Sequence, residues 1–81
     1  MKLVPIEVRE RKLRYYYGYA HTDKGLVELR EGMRPRVHVN TLIHEILHVL
    51  FPDLCETKID QYASTITHHV WNYLKDRELL K

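Results

Sequence analysis

Five consecutive residues, His44-Glu45-Ile46-Leu47-His48, carry the most specific chemistry in this chain. In a helix, residues four apart lie one turn apart on one face, so the two imidazoles can share a metal ion. Glu45 is turned about 100° from His44 around the helix axis. It can reach a water on such an ion without becoming a ligand. Two imidazoles and a neighbouring carboxylate base make up an H-E-x-x-H arrangement, which suits hydrolysis by a metal-activated water.

A zinc site that keeps one position open for water needs a third protein ligand. Glu56 lies eight positions after His48, and Asp60 follows four later, which puts both carboxylates on one helical face. Glu56 could complete the ligand set while Asp60 accepts a hydrogen bond from the non-ligating nitrogen of a histidine. Each has a plainer reading beside this one. Glu56 is a favourable acid at a helix N-terminus, and Asp60 is a solvated charge.

The motifs Thr41-Leu42-Ile43-His44-Glu45-Ile46-Leu47-His48, Phe51-Pro52-Asp53-Leu54 and the Glu56/Asp60 pair follow one another as in small phage and bacterial metallopeptidases. The stretch from about residue 15 to residue 70 resembles their minigluzincin type. The resemblance implies zinc-dependent hydrolysis of peptide bonds in a peptide or protein substrate. His44, His48 and Glu56 would be the Zn2+ ligands, Glu45 the general base to a metal-activated water, and Asp60 the support of a ligand histidine. In thermolysin-like relatives the glutamate lies much further along the chain, so the spacing here is a departure. Larger gluzincins align the substrate on a sheet edge strand; residues 26 to 30 are the candidate by that analogy. Tyr17, Tyr19, His21 and Tyr62 are equal candidates for stabilising the oxyanion or touching substrate.

The elements that must position these residues can be read from local pattern. Leu3 to Val8 is β-leaning, with Pro5 restricting it to an edge or a strand start. Tyr15 to Ala20 favours a strand, His21 to Gly25 carries turn chemistry, and Leu26 to Arg30 returns as the partner strand. Pro35 suits the first turn of a helix. Apolar residues then cover most of its circumference, which predicts a largely buried helix. Pro52 ends it, and Asp53 is placed to cap the next. From about Cys55 to Leu79, Ile59, Ala63, Ile66, Val70 and Leu74 form an apolar stripe on a second helix. The expected fold is α+β: a small antiparallel sheet of two or three strands packed on two consecutive helices. The first helix carries H-E-x-x-H and the second is long and C-terminal.

Eighty-one residues allow one domain over 1–81, with a marginal core that a metal would staple. A net charge of +2 is too weak to imply nucleic acid. Arg9, Arg11, Lys12 and Arg14 precede Tyr15, Tyr16 and Tyr17, a basic and aromatic run of the kind that binds single strands. The preferred reading is a solvated strand, so a nucleic-acid partner is not expected. The single cysteine, Cys55, permits no internal disulfide and fits a reducing cytoplasm. No apolar run reaches membrane-spanning length, and the N-terminus does not read as a signal peptide. His38 is expected to be structural. His68 and His69 lie about 18 Å along the helix from Glu56, outside the site. The alternative function is a small binding or regulatory module with a structural zinc. Its motive is size, because so short a chain leaves little room for a deep cleft.

Overall fold

A computed structural model describes residues 2–80. The elements follow in the order β1 (Glu7–Arg11), β2 (Gly18–His21), β3 (Leu26–Arg30), α1 (Pro35–Leu50) and α2 (Glu56–Asp76). The architecture is α+β, and the second helix is the longer and C-terminal.

The sheet order is β1-β3-β2. β2 and β3 form the expected antiparallel hairpin, with Ala20 opposite Val27. Gly25 closes its turn at φ +61°, a left-handed conformation that glycine adopts at little cost. The third strand departs from the antiparallel expectation: β1 pairs with β3 in parallel, Val8 opposite Val27. Its first hydrogen bond runs from the Glu7 N–H to the Gly25 carbonyl at 2.8 Å. The strand begins after Pro5, which has no N–H to give to a ladder, so the expected Leu3–Val8 strand shifts to Glu7–Arg11. Tyr15, Tyr16 and Tyr17 are not in a strand; they form a bend leading into β2.

Placing β3 at the centre buries Val27 and Leu29 almost completely. It also overturns residues 26 to 30 as a substrate-aligning edge. The free edges belong to β1 and β2.

α1 starts at Pro35 as expected and ends at Leu50, before Phe51 and Pro52. One side of α1 meets β2 and β3, and another meets α2; α2 touches no strand among the described residues. The sheet therefore packs on the helical pair through α1 alone. This explains why apolar residues occur around so much of α1: it has two layers to satisfy. The helix is nevertheless not largely buried. Only Thr41, Glu45 and Leu47 are buried, because thin layers cannot close over its remaining flanks.

α2 contributes Ile59 and Ala63, both fully buried against Leu47, with Ile43 and Leu54 packed alongside. The buried face continues through Thr67, whereas Ile66 and Val70 are exposed. The i, i+4, i+8 row of α2 faces α1, as expected for ridges packed into grooves. Cys55, not Asp53, occupies the N-cap of α2, and it makes no side-chain cap.

The sheet face turned away from α1 is polar. Arg11 Nη1 donates to Glu28 Oε2 at 2.9 Å, and His21 Nε2 lies 2.6 Å from Glu28 Oε1. The hydrogen bond with His21, and then that with Arg11, hold the Glu28 carboxyl below its ordinary value of 4.5. A depressed carboxylate stabilises the fold above its unfolded value, and that contribution is lost as pH falls through the folded value. Glu28→Gln is expected to be less stable than wild type at pH 7, with the gap closing below about pH 4.5. Urea unfolding at stepped pH measures it; a gap that does not narrow on acidification contradicts the assignment.

Candidate metal centre

The four-residue period of α1 puts His44 and His48 on one flank, their rings 4.9 Å apart. The Pro52 turn then reverses the chain and starts α2 at Glu56, so the first acid of α2 arrives beside both histidines. His44 Nε2 lies 2.7 Å from Glu56 Oε1, and His48 Nε2 lies 2.9 Å from Glu56 Oε2. The two Nε2 atoms are 3.2 Å apart.

Atoms bound tetrahedrally to one zinc at about 2.0–2.1 Å lie roughly 3.3 Å from one another. The ligand atoms of His44, His48 and Glu56 already sit on that scale, so the group could hold a metal ion. The group has three members, and no fourth His, Cys, Asp or Glu joins it among the described residues.

Asp60 lies one turn beyond Glu56, and its Oδ1 is 3.0 Å from His44 Nδ1. A carboxylate only accepts, so a proton on Nδ1 bonds Asp60 in the tautomer that leaves Nε2 to a metal shared with His48 and Glu56. Both acids are exposed, with side-chain exposures of 63% and 66%. The histidines are far more enclosed. The group thus has a sheltered imidazole side and an open carboxylate side.

Glu45 points toward β2, not toward α2. It is 8% exposed, and burial raises its pKa above the ordinary 4.5. The histidines oppose that rise, while Glu56 and Asp60 add to it. A carboxyl shifted upward is better matched to proton transfer near neutral pH than an exposed one.

The reason β2 can come so near is Gly18. A Cβ there would stand 2.8 Å from Thr41 Cγ2 and 3.0 Å from Glu45 Cγ. This residue was not singled out from sequence, although an isolated glycine in an aromatic strand is a signal for close backbone approach. The free edge of β2 consequently runs along the site. One cavity of about 400 Å³ is bordered by Tyr16, Gly18, Ala20, His48 and Glu56, among others. A second, also about 400 Å³, lies between the tyrosine bend and Asn40, Thr41 and Asp60. His44 and Glu45 line both.

Of the four candidate substrate contacts, Tyr17 borders the second cavity and Tyr19 the first. His21 is on the outer sheet face against Glu28, and Tyr62 lines neither cavity. Tyr16, which sequence gave no reason to prefer, borders both. His38 pairs with Glu10 at 3.2 Å. His68 and His69 are exposed on α2, and Cys55 is exposed outside the metal group. Arg9 and Arg11 are paired with Glu7 and Glu28, and Arg30 lies over the Tyr17 ring, so two cations and one tyrosine of the basic and aromatic run are occupied locally.

No family model matches the sequence, and neither a curated protein nor a solved structure matches the chain.

Two outcomes follow from this geometry. Gly18→Ala is expected to cost about 1–3 kcal/mol in urea unfolding, since the added methyl must displace Thr41 or Glu45; a neutral effect contradicts the close approach. Asp60→Ala is expected to weaken zinc binding about 10- to 100-fold in competition with a chromophoric chelator. Unchanged affinity means that Asp60 does not orient His44.

Proposed function

We propose that the chain is a minimal zinc-dependent peptidase of gluzincin type, acting on a peptide or protein substrate. The observation that carries this reading is the three-member group His44, His48 and Glu56 with buried Glu45 at its side. Structural zinc sites are closed by four protein ligands, whereas catalytic ones have three and an open position. The group therefore supports the enzyme over the structural-zinc module, and zinc follows from a nitrogen and oxygen donor set.

When bound, the ion supplies Lewis acidity, lowering the pKa of water and polarising a carbonyl. The chain's own residues do the rest. Asp60 holds the His44 ring in one orientation through Nδ1. Glu45 takes a proton from the attacking water and delivers it to the leaving amine. The outer edge of β2 offers unpaired backbone N–H and C=O groups to an extended peptide, as in strand addition. Tyr16 joins Tyr17 and Tyr19 as a candidate donor to the oxyanion.

No helix among the described residues is long and apolar enough to cross a membrane. The single cysteine, which permits no internal disulfide, is what supports the cytoplasm as the proposed setting.

Zinc-loaded wild type is expected to cleave members of a broad peptide library. Glu45→Gln should retain zinc and lose at least about 100-fold in rate. Cleavage that survives in Glu45→Gln rules out Glu45 as the base. A library left intact by the zinc-loaded wild type rules out the peptidase.

A further inference from the structure

Beyond the tyrosine bend, the groove does not end at the metal group. A third cavity, of about 530 Å³, lies between the first turns of α1 and the middle of α2. It shares Tyr17, Asn40 and Thr41 with the cavity that His44 and Glu45 line, so the two adjoin. Its other walls include Arg34, Arg36, Ser64 and Thr67, and no acid.

Several independent features give this end of the groove a positive, donor-rich character. Arg34 and Arg36 form no ion pair among the described residues. Arg34 is the N-cap of α1 and makes no side-chain cap, and the first turn contains no acid. The backbone N–H groups there are thus left without side-chain acceptors at the positive end of the helix dipole. Thr67 is 3% exposed, and its Oγ1 has no hydrogen-bond partner. An unpartnered buried hydroxyl is costly, and Thr67 lines this cavity.

The opposite end of the groove is acidic, with Glu45, Glu56 and Asp60 gathered around the histidines. A groove negative at one end and positive at the other orients a charged ligand. We infer that the Arg34/Arg36 end is a subsite for a carboxylate of the peptide substrate; this rests on the peptidase reading. The guanidinium fork matches a carboxylate in geometry as well as charge. The register follows from helix dimensions. Arg34 precedes His44 by ten positions, about 15 Å along α1. Extended peptide covers about 3.3 Å per residue. The carboxylate therefore stands four or five residues from the scissile bond, on the side that faces the start of α1.

The test uses labelled alanine–serine peptides in which a single glutamate is walked along the sequence. Each is paired with its glutamine counterpart, and one further peptide ends in a free carboxylate, paired with its amide. Binding to zinc-loaded Glu45→Gln is read by fluorescence anisotropy. At one narrow range of positions the glutamate peptide is expected to bind about tenfold tighter than its counterpart. The free-carboxylate pair shows whether a chain end serves as well as a side chain. In the background of Arg34→Gln with Arg36→Gln, whose fold is checked by circular dichroism, the ratio is expected to fall to about one. Equal binding at every position, or a preference that survives in the double variant, overturns the subsite. The same peptides incubated with wild type separate the two ideas. Cleavage without discrimination sinks the subsite alone. Discrimination without cleavage sinks the peptidase and leaves an acid-selective groove.

Discussion

α1 is packed from two sides and, among the described residues, is the only element that touches both the sheet and α2. Every other placement follows from that constraint. Because β3 is central, its apolar pair Val27 and Leu29 is sealed against α1, and β2 is left as a free edge along the helix. Gly18 allows β2 to close on Thr41 and Glu45, which buries the one carboxylate of α1. On the other flank, Leu47 packs against Ile59 and Ala63 and fixes the axial position of α2. That packing also fixes the reach of Glu56 and Asp60. The site thus sits where three layers meet, and its precision is borrowed from the core beneath it.

The features legible in the sequence are those set by short-range rules. Pro35 and Pro52 bound α1 because proline lacks the N–H that a helix interior requires. The Asp23 to Gly25 turn joins β2 and β3 because glycine accepts a positive φ. The four-residue period of α1 and α2 brings His44 near His48 and Glu56 near Asp60 whatever the tertiary fold. The short Pro52 turn makes the two helices neighbours and so points to Glu56 as the acid that meets the histidines, while the core packing of α2 on α1 sets how far it reaches.

What stayed hidden required knowledge of partners distant in sequence. Parallel pairing of β1 with β3 is specified by register across some twenty residues, and charged Glu7–Arg11 carries no alternation to reveal it. α2 offers two nearly equivalent stripes after Ala63. Apolar content favours Ile66 and Val70, but ridge packing against α1 selects Thr67, whose polar side chain disguises the buried face. The role of Tyr16 depends on the bend before β2, where β propensity points to a strand instead. His21 looked available until Glu28, seven residues on, was brought across the hairpin.

The most direct test of the central claim is the zinc coordination shell itself, read by X-ray absorption on the stoichiometrically loaded protein. Two imidazole nitrogens and two oxygens at about 2.0–2.1 Å, with one oxygen from an exchangeable water, are expected from His44, His48, Glu56 and an open position. A sulfur scatterer from Cys55, a third imidazole, or four protein ligands with no water would contradict it and point to a structural metal.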